Sequence, residues 1–191
     1  MLAASTTAAL TAGCARALAS RSTGAELSDP SAANALAVRG GELIESDPEK
    51  ARELLDRALA LDPYCGIARN NLGALALQGG ASGGAPDLFA AAENFQSAAM
   101  LMPGNPAPRL NLGLVMERAG LQEEALGAYT TAVEIAPAHI ASVQALTSLE
   151  LRMARESTET RARLKTIALR GTSAEWRAWA KDRLGRNVQD P

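Results

Sequence analysis

Residues 106–139 read PAPRLNLGLVMERAGLQEEALGAYTTAVEIAPAH, and the placing of small residues along these 34 positions decides the fold. Counted from Pro106, Leu112 and Gly113 occupy positions 7 and 8, Gly120 position 15, Ala125 position 20, Tyr129 position 24, Ala132 position 27 and Pro137 position 32. Each has a physical task. Gly113 and Ala125 lack bulk, so a first helix (A) and a second (B) can cross closely. Tyr129 fills the space beside that crossing, and Ala132 lets helix B pack on the next unit. Pro137 stops helix B because it has no N–H to donate.

The spacing recurs on both sides. Upstream, Leu72, Gly73, Ala91, Phe95, Ala98 and Pro103 take the same places in a unit beginning at Gly66. Gly73 and Ala91 lie 18 residues apart, against 12 for Gly113 and Ala125, so six residues are inserted within Gly79–Pro86. An insertion there falls in the turn between the two helices, where loop length costs little. Earlier still, Ala51, Leu55, Ala58 and Pro63 repeat the second half of the pattern, and Asp47-Pro48 supplies an N-cap and a first-turn proline. Its first helix, expected over 32–45, departs from the pattern: Val38 and Arg39 stand where Leu-Gly belongs. Downstream, Val143, Leu146, Leu149 and Met153 form one apolar stripe over 140–155, with Thr147 in the place of the glycine and a looser crossing expected. A partner helix is expected over 160–170, with Leu164, Ile167 and Ala168 inward and Gly171 at its end. Thr172 to Glu175 reads as a capping box opening a last helix to about Leu184. On it Trp176, Trp179, Ala180 and Arg183 share a face, which reads either as a lid on the last helix pair or as an aromatic anchor for a partner.

These positions together resemble the tetratricopeptide repeat, a 34-residue helix–turn–helix. The resemblance implies an all-α, right-handed solenoid of three to four helical hairpins with a C-terminal capping helix. It divides the domain, 31–187, into units at about 32–65, 66–105, 106–139 and 140–170, with the cap over 173–185. A degenerate first unit agrees with a solenoid end that meets water on one face.

Composition supports helices and excludes little else. The chain has 191 residues, 47% apolar and only 3% aromatic, with a net charge of −2. That balance gives no whole-chain attraction to nucleic acid. The charge is uneven: Glu26 to Asp62 carries −5 and Leu151 to Arg186 carries +6. Solvated helix faces, a polarised binding surface and head-to-tail association all fit. Residues 1–30 stand apart from the repeats. Leu2 to Ala12 is a short apolar run that reads as an export signal, although no basic residue precedes Arg16. Leu10-Thr11-Ala12-Gly13-Cys14 resembles a bacterial lipobox with Cys14 as the lipidated residue, while Ala17-Leu18-Ala19 offers an ordinary cleavage site. With Cys14 lipidated, Cys65 is a lone thiol, expected as a small buried hydrophobe.

Chemistry-bearing patterns are sparse. Gly80-Ala81-Ser82-Gly83-Gly84 matches the string of a nucleophile elbow, but that motif needs a strand-to-helix turn, and this run lies between helices. His139 is the single histidine. Neither metal-ligand spacing nor a phosphate-cradling loop occurs, so no metal and no cofactor is expected. The binding pattern is more informative. Asn71 and Asn111 both stand at position 6, with Asn70 beside the first; Ala37 and Ala145 end the ladder. The resemblance implies that A helices line a concave groove, where asparagine at this position holds the backbone of an extended peptide. Ile67, Asn70, Ala107 and Leu110 occupy positions where a carboxylate clamp would place cations. The expectation is a non-catalytic scaffold for a protein or peptide partner. Its implied setting is the bacterial periplasm, in envelope, pilus or secretion assembly, with membrane contact only through a lipid on Cys14. A cytosolic adaptor or co-chaperone is the alternative, and a hydrolase using Ser82 the third reading.

Overall fold

Nine helices follow one another with no strand among the described residues, 28–79 and 84–186 of the computed structural model. They are α1 (Pro30–Glu42), α2 (Pro48–Leu61), α3 (Gly66–Leu77), α4 (Leu88–Leu101), α5 (Pro106–Arg118), α6 (Gln122–Ile135), α7 (Ile140–Arg152), α8 (Thr158–Arg170) and α9 (Ala174–Arg186). Cys14, the export segment and Ser82 lie outside the described residues.

Local chemistry sets the helix starts. The Asp29, Asp47 and Asp87 side chains accept the N–H of the residue three further on, at 2.9, 3.0 and 2.9 Å, and Asn105 accepts that of Ala107 at 3.0 Å. Each satisfies one of the N–H groups a first turn leaves without a helical partner. A proline within the first two positions follows Asp29, Asp47 and Asn105, where its missing N–H costs nothing. The expected capping box at Thr172 is displaced by one residue: Ser173 accepts the Trp176 N–H at 3.3 Å. A reciprocal box forms instead at Ser157 and Thr160, opening α8 two residues before the expected start. The helix expected to reach Arg155 ends at Arg152, and Ala154 turns the chain at φ 55°.

Consecutive helices pair as antiparallel hairpins, and the small residues sit at the crossings. A Cβ placed on Gly73 would come within 2.8 Å of the Phe95 ring, and one on Gly113 would overlap the ring of Tyr129. Position 8 therefore packs against the aromatic of position 24. In the first unit Gly40 does this work, 2.9 Å from Leu55 Cγ by the same test. The crossing glycine is thus present but displaced by one from Arg39, because the turn before Ala51 is one residue shorter. In the fourth unit Thr147 is fully buried, its hydroxyl lacks a hydrogen bond, and the α7–α8 pair packs less extensively than the other hairpins, as its bulk requires.

Four core clusters succeed one another along the chain. Ala33, Ala37, Leu55, Ala58 and Cys65 begin the series, and Ala91, Phe95, Leu112 and Val115 continue it. Then come Ala125, Tyr129, Leu146 and Leu149, followed by Val143, Leu164, Ile167 and Ala180. Trp176 and Trp179 close the last cluster, edge to face at 5.1 Å. Cys65 is 2% exposed, with its thiol 3.4 Å from Asn34 Oδ1. No described helix is long and apolar enough to cross a membrane.

Candidate peptide-binding groove

The A helices touch one another along the array, α1 with α3, α3 with α5 and α5 with α7, whereas the B helices α2, α4, α6 and α8 do not pack on each other comparably. The array therefore curves with the A helices on its inner side, which makes them the walls of a concave face.

On this face the three asparagines singled out in the sequence meet. Asn111 Nδ2 donates to Asn70 Oδ1 at 3.0 Å, Asn70 Nδ2 donates to Asn71 Oδ1 at 3.3 Å, and Asn71 Nδ2 donates to the Ala37 carbonyl at 2.9 Å. This amide chain runs from α5 through α3 to α1. Gly41 leaves room for it, since a Cβ there would run into the Asn71 amide. The asparagines are half-buried, not simply solvent-facing, and each amide N–H2 has a second N–H beyond the one used in the chain. Leu72, Gly73, Ala98, Leu112, Ala125 and Ala132 are buried. Pro103 and Pro137 sit exposed just after their B helices.

Farther along, α5, α7 and the start of α9 enclose a cleft of about 320 Å³ whose walls include Leu110, Leu114, Gln144, Ser148, Arg152 and Trp176. A second cleft of about 270 Å³ shares Ser148 and Trp176 and extends the first to Trp179. Sequence reasoning missed Gln144. It stands at position 5, the place of Asn70 in the second unit, but only position 6 was followed into the fourth unit. Gln144 is 2% exposed, and its Nε2 has no hydrogen-bond partner.

Charge in the cleft is internally neutralised. Glu117 accepts the Tyr129 hydroxyl at 3.0 Å and is paired with Arg152, which also donates to Ser148 Oγ at 2.6 Å. Burial, and then the adjacent Glu117 carboxylate, push the Tyr129 phenol well above its ordinary range. Ile67, Asn70, Ala107, Leu110, Ala141 and Gln144 hold positions 2 and 5 of the last three units, so no cation stands there. His139 Nδ1 lies 2.8 Å from Ser142 Oγ at the start of α7. Among the described residues no group of three or more His, Cys, Asp or Glu could hold a metal.

No protein-family model matches the sequence, and a search of curated proteins finds no match either. Solved structures do match. The first tetratricopeptide domain of Spaghetti (RPAP3), bound to the HSP90 peptide SRMEEVD, is 17% identical with a TM-score of 0.58, covering 69% of this chain and 99% of that one. MamA is 20% identical with a TM-score of 0.56, covering 85% of this chain and 84% of its own. Cut9 in the Cut9–Hcn1 complex is 19% identical with a TM-score of 0.61, over 81% of this chain but only 29% of Cut9. The chain thus has the tetratricopeptide-repeat fold, an all-α solenoid of helical hairpins.

Proposed function

We propose that this protein is a non-catalytic interaction scaffold that holds an extended segment of a partner protein along its concave face. The observation that carries the reading is the continuous inner wall of amides and apolar side chains, from Asn71 on α3 to Trp176 on α9. An amide offers donor and acceptor at once, which suits a peptide main chain whose own groups are unpaired. The peptide bound by the Spaghetti (RPAP3) domain, which has the same fold, supports a peptide segment as the kind of partner.

Position-specific photocrosslinking tests this. A photoreactive residue at Leu114, on the inner wall, should capture the partner, whereas one at Phe89, 82% exposed on the B helix α4, should not. The Asn71→Ala/Asn111→Ala pair should weaken binding about tenfold, from two hydrogen bonds of roughly 0.5–1.5 kcal/mol each. Because Asn71 also ties α3 to α1, the melting temperature of that variant must be measured alongside. Capture at Phe89 with none at Leu114 would move the site to the outer face.

The proposed setting is the periplasm, in envelope, pilus or secretion assembly, with Cys14 carrying a lipid. What supports it is the Leu10 to Cys14 pentapeptide. The mass of the mature N-terminus, together with membrane fractionation, decides the matter. An unmodified Met1 in the soluble fraction would favour the cytosolic adaptor or co-chaperone.

A further inference from the structure

We infer that the cleft between α5, α7 and α9 anchors one large apolar side chain of an uncharged segment, with Gln144 reading that segment's main chain. The inference rests on the groove reading and names the chemistry of its occupant. Three observations converge. Leu110, Leu114 and Trp176 give the cleft apolar walls, and Leu114 remains 40% exposed. The volume of about 320 Å³ is at the small end for ligand sites, which suits a single side chain better than a cofactor. Gln144, buried in the same wall, has an amide N–H2 without a partner. A buried donor without a partner is unfavourable, and a carbonyl oxygen arriving with a ligand would satisfy it once the amide turns into the cleft.

Charge decides the class of segment. Among the described residues the one cation on the cleft wall, Arg152, is already engaged by Glu117 and Ser148. An acidic segment would find no free cation there and would meet the Glu117 carboxylate. A basic segment would face Arg152 and would have to compete for Glu117. A neutral segment needs neither exchange: its apolar side chain fills the cleft and its carbonyl meets Gln144.

The test uses a randomised twelve-residue peptide library displayed on phage. It is selected on the full chain and counter-selected on Leu114→Glu. The expected result is a set of sequences sharing one Leu, Met, Phe or Trp and poor in Asp and Glu. The consensus peptide, synthesised with both ends blocked, should change the tryptophan fluorescence, because both tryptophans of the protein lie at these clefts. Gln144→Leu should weaken that peptide about tenfold without lowering the melting temperature, since it removes a buried amide that lacks a partner. Gln144→Glu should weaken it further, by setting a carboxylate against the carbonyl.

A consensus ending in acidic residues, or equal binding to Leu114→Glu, overturns the inference, as does failure to recover any peptide. An acidic consensus that still crosslinks from Leu114 would overturn the stated chemistry and leave the groove function standing. A consensus crosslinking only from Phe89 would overturn both.

Discussion

At the scale of single residues, the fold depends on two kinds of glycine that the sequence does not separate. Gly113 lies beneath the Tyr129 ring, whereas a Cβ on Gly127, in the exposed face of α6, meets nothing within 4 Å. Gly113→Leu should therefore destabilise the protein by about 1–3 kcal/mol through overpacking. Gly127→Ala should stabilise it by about 0.5–1 kcal/mol, because alanine restricts the unfolded chain and favours the helix. Thermal melts of both variants check the pair, and a neutral Gly113→Leu would mean that the helices are not in close contact there. Tyr129 gives a pH signature. Its folded-state pKa is raised, so its contribution is fully present below the ordinary phenol value of about 10 and is lost as pH rises through the higher folded value. Stability should fall on the alkaline side, and Tyr129→Phe should flatten that fall. At neutral pH the same variant should lose on the order of 1.5–3 kcal/mol with the hydrogen bond to the charged Glu117.

At the scale of elements, each hairpin is a helix pair with its own caps and crossing, and the turn between them tolerates change. The inserted turn of the second unit is closed at its base by backbone bonds, Asp87 N–H to the Ala76 carbonyl and Gly84 N–H to the Gly79 carbonyl, both at 3.0 Å. Gly79 has φ 106°, a conformation that strains any residue with a Cβ. Removing six residues from Gly79–Pro86 restores the 34-residue period and should leave helical circular dichroism and melting nearly unchanged, because closure entropy varies slowly with loop length. Aggregation or lost helicity would show that the segment has a structural role and that the alignment of the second unit is wrong.

At the scale of the whole molecule, the cap and the groove share a residue. Trp176 packs on the last core cluster and also walls the cleft, so it is not a lid alone. Trp176→Ala should lower the melting temperature, with a loss smaller than the roughly 3–5 kcal/mol of a fully buried aromatic because the ring is half-buried. The groove affinity of the folded fraction should fall as well. Stability lost with affinity retained would return Trp176 to the role of a cap. Part of the positive charge of the C-terminal region is used inside the fold. Arg152 reaches Glu117 and Arg155 reaches Glu123, which tie the basic terminal region back to the third unit. Arg163 pairs with Glu150 across the last hairpin. Three bases of the basic terminal region are thus paired with acids outside it, and none of those acids comes from the acidic Glu26–Asp62 segment.

The period, the helix-breaking prolines and the small residues at positions 8, 20 and 27 were enough to determine the all-α solenoid. They act through excluded volume and the missing proline N–H, which operate the same way in every unit. The hidden glycine of the first unit was not legible, because a one-residue shorter turn moves it out of the counted position and only the crossing with Leu55 identifies Gly40. The groove was legible in part. Repeating asparagines marked its wall, but their bonding to one another spans 41 residues between Asn111 and Asn70, and 34 between Asn71 and Ala37. Such contacts depend on how neighbouring A helices stack, not on spacing within a unit. Gln144 and Trp176 come together for the same reason: one belongs to the last groove helix and the other to the cap, and only the folded end of the solenoid brings them to one cleft.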